Sequence, residues 1–598
     1  SEFNFKNEPS IIGIYKFDQT STNALENVQF KIWNKENGED SATIYTTDKN
    51  GKIEIKYIKV GTYCVKEIKA IPGYAVKDEI TEFTVSEDGK INGKSNDSLN
   101  ISNIHIQMIG TIAVNKDTND HFALGTDTTI VDTVKMTGLQ VGKEYLLKAT
   151  PMDVETGEPI LVNDSPLIFE KTFIPTKSDE EIPVEAIFDT SEYKGKKINM
   201  FEELYDEGVL IAEHKDLKDE NQTITIKDVK IGTTAIANDT NTNFSKYGDK
   251  TIITDTVDYK NIIPNLEYTM IGIVMDKTTG EPVMVKEKSE SKDDIIDDNN
   301  SENTNEDETD NANKIPLTAE TTFTPTEENG SVDVTFEFDS NELKGKDVVV
   351  FETLTYKGKD IAEHKDLEDK GQTIQFPNVE IKTSVINKDT NTQFAQIGDK
   401  LTFVDTVSYK GLVPNYEFTL KGKIMDKETG EPLKINDQEV TAEAKFTPEN
   451  SEGTTDVTFT VNTIGLAGKD LVVFEKLYYG DVEFASHEDL EDKNQTITIP
   501  KIEIGTKVIN KDTNNQTADV KSNNTFVDTV SYKGLVPGYE FILKGKIMDK
   551  TTGEPLKVDG KEVVAEAKFT PENSEGTTDV TFTVNTTDLA GKDLVVFE

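Results

Sequence analysis

The 598-residue sequence predicts an all-β protein, built as a tandem array of immunoglobulin-like β-sandwich domains. Segments such as TFVDTVSYKGLVPNYEFTLKGKIMD and GTTDVTFTVN alternate apolar and polar residues and are rich in Val, Thr, Phe and Tyr. Turns rich in Gly, Pro and Asn follow about every ten residues, and the sequence shows no amphipathic helical periodicity. Strands with one inward-facing side are typical of a β-sandwich.

Signature residues recur along the chain and divide it into domains. A threonine near the start of each repeated unit stands at Thr111, Thr233, Thr383 and Thr506. Units of about 120 residues are each large enough for a core of their own. The longer second unit contains an acidic insertion at 286–314, which we interpret as a disordered loop. We expect domains at 1–107, 108–230, 231–380, 381–503 and 504–598, the last of them truncated before its final strand.

Composition excludes several classes of partner. The chain carries 64 basic against 111 acidic residues and no arginine, so its net charge of −47 would repel nucleic acid and anionic membranes. It has no apolar run of the roughly 18 residues that a membrane span needs. Cys64 is the single cysteine, so no internal disulfide can form. The chain begins with Ser-Glu-Phe rather than a signal peptide, so we expect any export signal or wall anchor to lie outside it.

A rare residue type occupies the same position in three of the units. Each of three histidines opens an H-x-D-L-x-D-x-x-Q-T-I segment, eight residues before a glutamine and twelve residues after the glutamate of an apolar run such as LVVFE. An aspartate in a D-T-V signature follows each unit's threonine by 21 or 22 residues. The candidate sites are Thr111, Asp132, Glu202, His214 and Gln222; Thr233, Asp255, Glu352, His364 and Gln372; and Thr383, Asp405, Glu475, His487 and Gln495.

Strand alternation predicts that four residues of each site face the core. In the third unit, Thr383, Asp405, Glu475 and Gln495 each share a strand face with apolar residues. Two close buried carboxylates cannot both stay ionised, so we expect Asp405 and Glu475 to share a proton. This acid pair can donate to a carbonyl oxygen while His487 accepts a hydroxyl proton, and threonine then attacks the glutamine amide. The product would be a Thr–Gln ester, with loss of ammonia.

Other interpretations of these residues are open. The same buried set is also consistent with a satisfied polar network that contains no covalent bond. The H-x-D-x-x-D spacing is a weak metal pattern, because one histidine with mobile acids is a poor ligand set, and we expect neither metal nor cofactor. We interpret His105 and His121 as ordinary strand or surface residues. No phosphate-binding glycine loop, Cys–His pair or nucleophile elbow accompanies the repeats, so we do not expect an enzyme that turns over.

The motifs of the units resemble a known family. VDTVSYKGLVPGYEF, MDKTTGEPL, LAGKDLVVFE and HEDLEDKNQTI, with Gly-Thr at the unit start, are similar to the VaFE repeat, an ester-bond-forming domain of Gram-positive surface adhesins. The resemblance covers Gly110 to Glu598. It implies a single-turnover, autocatalytic ester between the first and last strands, helped by the Asp, Glu and His of each site. The implied bonds are Thr111–Gln222, Thr233–Gln372 and Thr383–Gln495.

The fourth unit is predicted to hold an incomplete site. Thr506, Asp528 and Glu598 occupy the expected positions, but the sequence stops at that glutamate, before any histidine or glutamine strand. We therefore expect Thr506 to be unreacted. We also expect an open sheet edge, to which a peptide with the sequence of the missing strand could add.

The first hundred residues resemble a different family. IIGIYKFDQTSTNALENVQFKIW followed by GTYCVKEIKAIPGY looks like a collagen-adhesin B-type domain, whose members often form a Lys–Asn or Lys–Asp isopeptide bond. The resemblance implies Lys16 as the nucleophile and Glu67 as a buried, protonated helper. Strand alternation favours Asn103 as the third member, with Asn100 on the opposite face as the alternative. Cys64 lies on the face opposite Glu67, and we interpret it as a packed strand residue.

These features predict a structural role for the chain. We expect a stalk of a cell-wall-anchored bacterial adhesin, extracellular and held at the wall by a missing C-terminal anchor. A host receptor or matrix ligand would bind through a head domain outside this sequence. The alternatives are a pilus backbone subunit and a host-ligand-binding module in the first domain.

Overall fold

The structure is a computed structural model, and it describes residues 10–95, 97–286 and 314–598. The acidic insertion that we expect to be disordered lies outside these residues, apart from its two ends. Strands make up 57% of the structure and no α-helix occurs in the described ranges, so the all-β prediction is confirmed. Short 3₁₀ turns lie at Lys35–Asn37, Glu39–Ser41, Ser191–Tyr193, Glu220–Gln222, Asn341–Leu343 and Lys493–Gln495.

The first domain packs two sheets around a core that includes Phe30 and Phe83. Its strands are β1 (Ile11–Asp18), β2 (Gln29–Asn34), β3 (Thr43–Thr46), β4 (Lys52–Lys56), β5 (Gly61–Lys69), β6 (Ile80–Val85) and β7 (Ser98–Asn103). One sheet has the order β4-β1-β7 and the other has the order β3-β2-β5-β6. The first and last strands, β1 and β7, pair in parallel, which brings distant parts of the sequence side by side.

The first repeat also forms two sheets. Its strands are β8 (Gln107–Asn115), β9 (Phe122–Leu124), β10 (Asp127–Thr137), β11 (Tyr145–Asp153), β12 (Leu161–Val162), β13 (Ser165–Pro166), β14 (Phe169–Phe173), β15 (Glu180–Asp189), β16 (Lys197–Asp206), β17 (Val209–His214) and β18 (Thr223–Lys227). One sheet has the order β15-β10-β8, and the other has the order β14-β11-β16-β18-β9, with β17 on β16. Strand β15 alternates buried and exposed residues, as the sequence pattern predicts.

The second repeat keeps this arrangement. Its strands are β19 (Lys230–Ala237), β20 (Thr251–Lys260), β21 (Tyr268–Asp276), β22 (Met284–Lys286), β23 (Lys314–Pro316), β24 (Thr318–Phe323), β25 (Gly330–Phe338), β26 (Lys346–Tyr356), β27 (Lys359–His364) and β28 (Thr373–Phe376). The sheets are β19-β20-β25 and β24-β21-β26-β27, with β28 also on β26. Strands β22 and β23, which lie at the two ends of the insertion, pair with each other in an antiparallel hairpin-like arrangement.

The third repeat has the same two sheets again. Its strands are β29 (Glu380–Asn387), β30 (Leu401–Lys410), β31 (Phe418–Asp426), β32 (Glu431–Pro432), β33 (Lys434–Ile435), β34 (Gln438–Glu439), β35 (Thr441–Phe446), β36 (Glu452–Val461), β37 (Lys469–Tyr479), β38 (Val482–His487) and β39 (Thr496–Ile499). The sheets are β29-β30-β36 and β32-β31-β37-β38, with β35 on β31 and β39 on β37.

The fourth repeat has fewer strands. They are β40 (Glu503–Asn510), β41 (Asn524–Lys533), β42 (Phe541–Asp549), β43 (Lys557–Val558), β44 (Lys561–Glu562), β45 (Val564–Phe569), β46 (Glu575–Val584) and β47 (Leu594–Phe597). The sheets are β40-β41-β46 and β45-β42-β47, beside the hairpin β43-β44.

In the three longer repeats, the two sheets contribute different candidate residues. The three-stranded sheet carries the threonine and the aspartate on its first two strands. The opposite sheet carries the glutamate on its central strand, with the histidine strand and the glutamine-bearing segment both next to that strand. Each candidate site therefore lies between the sheets, and within the described residues the first strand and the glutamine-bearing strand are not paired in a ladder; in the second repeat a single backbone bond, from Ala235 N to Gly371 O at 2.9 Å, joins them.

Candidate cross-link sites

The third repeat places a threonine hydroxyl against a glutamine amide in its interior. Thr383 Oγ1 donates to Asp405 at 2.7 Å, and Gln495 Nε2 donates to Thr383 Oγ1 at 2.8 Å. Asp405 and Gln495 have no exposed surface. The hydroxyl thus contacts both a carboxylate and the amide that it would attack. The related distances are 2.7 Å for Thr233 to Asp255, 3.1 Å for Gln372 to Asp255, 3.2 Å for Thr111 to Asp132 and 3.2 Å for Gln222 to Asp132.

A buried glutamate accompanies each aspartate. Glu475 has no exposed surface, and neither of its carboxylate oxygens meets a conventional hydrogen-bond donor. Burial raises the pKa of Glu475, and the neighbouring Asp405 raises it further; burial also raises the pKa of Asp405. The two acids therefore retain a proton at neutral pH, and a hydrogen bond between them requires that proton. Burial likewise raises the pKa values of Asp132, Glu202, Asp255 and Glu352.

The glutamine carbonyl oxygen at this site also has no hydrogen-bond partner. Gln495 Oε1 is buried and unpaired, like both carboxylate oxygens of Glu475. Unpaired acceptors are costly in an interior, so three buried oxygens at this site lack a donor. The carbonyl oxygens of Gln222 and Gln372 are unpaired in the same way.

Each histidine is held by the second aspartate of its H-x-D-x-x-D spacing, which our sequence analysis considered only as a weak metal pattern. His487 stands opposite Glu475 on neighbouring strands, and its Nε2 lies 2.9 Å from Asp492 Oδ2. Asp492 also accepts a backbone N–H from the turn Lys493–Gln495, which presents the glutamine. In the described repeats the ring makes no hydrogen bond to the threonine or the glutamine. The signal for this aspartate is its constant spacing, five residues after the histidine; the other pairs are His214–Asp219 at 3.0 Å and His364–Asp369 at 2.8 Å.

A small residue opposite each glutamate leaves room for the carboxylate. Gly422 is in register with Glu475, and a Cβ at Gly422 would collide with that carboxylate and with the ring of Phe459. In the first repeat, Ala149 takes the glycine position and Ala186 takes the phenylalanine position. The methyl group of Ala149 fits there because no aromatic ring is present. Our sequence analysis missed this pair of positions, although the aligned motifs KGK and KAT contain the exchange.

The first domain brings Lys16, Glu67 and Asn103 into mutual contact. Lys16 Nζ lies 2.8 Å from Glu67 Oε2 and donates to Asn103 Oδ1 at 2.6 Å. Asn103 Nδ2 donates to Glu67 Oε1 at 2.9 Å. Burial lowers the pKa of Lys16, although Glu67 opposes this shift, so the neutral, nucleophilic amine is easier to reach than in an exposed lysine. Asn100 is exposed, so the structure places Asn103, and not its alternative, beside the lysine.

The fourth repeat holds a more open version of the site. Asp528 is buried, Glu598 is half-buried, and Thr506 is exposed. Burial together with the charge of Asp528 raises the pKa of Glu598 to about 7. Burial also raises the pKa of Asp528. The acid pair is thus present in this repeat. Because it is less enclosed, the pKa of its glutamate is raised less than that of the glutamate in a fully buried pair.

Three residues considered in the sequence lie apart from these sites. His105 packs edge-on against Tyr74, with ring centroids 5.0 Å apart, and His121 is half-buried. Cys64 is buried, and burial raises the pKa of its thiol. Among the described residues, no group of three or more His, Cys, Asp or Glu side chains has an arrangement suited to a metal ion.

No helix in the described ranges is long and apolar enough to cross a membrane.

Known families match most of the chain. The profile described as "T-Q ester bond containing domain" matches residues 107–226, 229–376, 379–499 and 502–598. The profile described as "Prealbumin-like fold domain" of the SpaA type matches residues 10–98. These matches confirm the resemblances found in the sequence. A search of curated proteins finds no match.

Several solved structures are similar to this chain. A Mobiluncus mulieris adhesin containing intramolecular disulfide, isopeptide and ester cross-links has 13% identity and a TM-score of 0.19, covering 48% of this chain and 88% of its own. The major pilin subunit of Bacillus cereus has 13% identity and a TM-score of 0.18, covering 64% of this chain and 97% of its own. A minor pilin of Streptococcus agalactiae has 22% identity and a TM-score of 0.14, covering 16% of this chain and 44% of its own.

Proposed function

We propose that this chain, which belongs to the T-Q ester bond containing domain family, is a structural stalk of a bacterial surface adhesin. Its domains would be closed by three Thr–Gln esters and one Lys–Asn isopeptide bond. The observation that supports this most directly is the 2.8 Å contact between Gln495 Nε2 and Thr383 Oγ1 beside a buried acid pair. A stalk of this kind would be extracellular and attached to the cell wall.

The geometry supports a balanced reaction at the third site. The Thr383 hydroxyl gives its proton to Asp405, to which it already donates a hydrogen bond, and its oxygen attacks Cδ of Gln495. The protonated Glu475 donates to the amide oxygen and stabilises the charge that develops there. The C–N bond then breaks, ammonia takes the accepted proton, and the ester remains. His487, oriented by Asp492, would shuttle protons at the open side of the site rather than contact the hydroxyl directly.

This reaction consumes its own residues, so each site would react once. We therefore propose that the chain is not an enzyme in the usual sense. The isopeptide in the first domain would form in a related way. The neutral Lys16 amine attacks the Asn103 side-chain amide, Glu67 polarises the carbonyl, and ammonia leaves.

The position of the bonds suits a load-bearing role. Each ester would join a strand of one sheet to a segment that belongs to the other sheet. Only eleven positions separate Gln222 from Thr233, and the same spacing separates the later glutamine and threonine pairs. A pulling force would therefore pass from ester to ester through short linkers, and the strands between the bonded residues would carry little of it.

Pulling on single molecules tests this role. We expect the untreated chain to release almost no length from its three bonded repeats. Each ester would carry the force directly, so the residues between the bonded threonine and glutamine could not extend. Mild alkaline hydrolysis should cleave the esters and spare the isopeptide. The third repeat, with 112 residues between Thr383 and Gln495, should then release about 370–400 Å when it unfolds. Release steps of that size in the untreated chain would argue against a covalent stalk.

A further inference from the structure

One position in each longer repeat contacts the domain that precedes it. This position lies four residues after the buried glutamate, at the end of the strand that carries it. Its occupants differ in chemistry: Asp206 in the first repeat, Tyr356 in the second and Tyr479 in the third. Each occupant meets a different group from the preceding domain, so the three joints can be compared.

The joint between the second and third repeats is aromatic. Phe244 belongs to the second repeat but has no exposed surface, because its ring packs into the core of the third. We call the receiving residues the aromatic socket. Its ring centroids lie 4.9 Å from that of Phe244 for Tyr416, 4.9 Å for Tyr479, 5.7 Å for Phe484 and 6.2 Å for Phe418. Tyr416 Oη also donates to Asn243 Oδ1 at 2.8 Å, which fixes the loop beside the ring.

The loop that carries Phe244 is held firmly in its own repeat. It follows β19, the strand of Thr233, and bridges in parallel to Gln375 on β28. Gln375 N donates to Asn243 O, and Ser245 N donates to Gln375 O, both at 2.9 Å. The two segments that the second ester would join are therefore the two that position the Phe244 ring.

The other two joints use polar chemistry at the same position. Asp206 is buried and accepts the Gly73 N–H of the first domain at 3.0 Å. Tyr356 Oη donates to Asp117 Oδ2 at 3.1 Å, and Lys357 contacts the other oxygen of Asp117 at 2.7 Å. The Asp206 carboxylate also pairs with Lys143 of its own repeat at 2.6 Å, so this joint matches a charged pair to a backbone N–H, whereas the aromatic socket encloses an apolar ring. The three joints are therefore not interchangeable.

We propose that these contacts are selective domain interfaces: each repeat accepts only the domain that precedes it in this chain. The Phe244 joint also completes the hydrophobic core of the third repeat, so the second and third repeats behave as one rigid body. The partner of the aromatic socket is thus the β19–β20 loop of the preceding repeat. This inference concerns contacts between domains and does not depend on whether the esters form.

Hydrogen exchange in the full chain tests the joint. Phe244→Ala removes the ring that fills the socket, so amides around Phe418 and Tyr479 should exchange at least about ten-fold faster. Strands β20 and β21 of the second repeat should keep their exchange rates. Phe244→Leu should give an intermediate increase and serves as the variant of choice if the alanine variant does not fold. Unchanged exchange at the socket in both variants would overturn the proposal.

Phe122→Ala is the matched control. Phe122 occupies the same loop position in the first repeat, but the residue is 36% exposed, and Lys227 Nζ of its own repeat lies 4.4 Å from its ring centroid. This variant should leave exchange in the third repeat unchanged. An equal increase at the socket would show a general loss of stability and would contradict a specific joint.

Spin-label distances test the rigidity. Labels at Ser331→Cys and Thr458→Cys, in a Cys64→Ser background, would report on the second and third repeats from exposed positions. We expect a narrow distance distribution with Phe244 present and a distribution at least twice as wide with Phe244→Ala. A broad distribution in both chains would overturn the rigid joint.

Discussion

Glu475→Ala should abolish the third ester and leave the other two esters intact. Glu475 is the acid whose proton stabilises the developing oxyanion, and removal of one such donor typically slows a reaction by about 10²–10³-fold. The variant would therefore be isolated with its third site unreacted, about 17 Da heavier than the cross-linked chain, because one ammonia is retained. Intact-protein mass spectrometry after denaturation measures this difference.

Two further variants define the specificity of this effect. Glu443→Ala removes an exposed glutamate from β35, which lies in the same sheet but is separated from the strand of Glu475 by β31, and should leave the mass loss unchanged. His487→Ala should slow the bond and leave the repeat folded, since the ring lies at the edge of the site. Normal bond formation in Glu475→Ala would remove this acid from the mechanism.

Gln495→Ala should lower the thermal stability of the third repeat by a large margin. The ester would close a loop across 112 residues, and by analogy with disulfides a loop of that size stabilises by about 4–5 kcal/mol. For a domain of this size, that loss corresponds to a fall in Tm of roughly 10–25 °C. Calorimetry of the full chain would show one transition moving down while the others stay in place.

Gln438→Ala provides the control for this change. Gln438 is exposed on the short strand β34 of the same repeat, so its loss should leave every transition in place. Reducing agent should also have no effect, because Cys64 is the single cysteine. An unshifted third transition in Gln495→Ala would mean that no bond closes this repeat.

Strand alternation predicted the all-β class and the burial of individual residues well. It places Thr383, Asp405 and Glu475 on inward faces, and the structure buries all three. The reason is that successive side chains of a strand point to alternate faces of the sheet, so a few apolar neighbours assign every other side chain to a face. The family matches confirm the resemblances that rest on the motifs. The bonds themselves stay predictions.

Contacts outside the regular strands could not be predicted in this way. Asp492 reaches His487 from the residue that caps a 3₁₀ turn, outside any strand, so the two-residue alternation of a strand does not apply to it. The fit between Gly422 and Phe459 joins opposite sheets, and alternation within a strand carries no information about the facing sheet. Phe244 belongs to the second repeat in sequence, yet its ring packs in the core of the third. Such contacts depend on how sheets and domains pack.

The mass of the chain without any substitution tests the central claim most directly. Three esters and one isopeptide each release one ammonia, so the denatured protein should be about 68 Da lighter than its sequence predicts, or about 17 Da per bond. Alkaline hydrolysis adds one water, about 18 Da, at each ester and leaves a glutamate where the glutamine stood, so the mass should rise by about 54 Da while the isopeptide stays intact. A mass equal to that of the sequence would contradict the account and would leave four buried polar networks without covalent bonds.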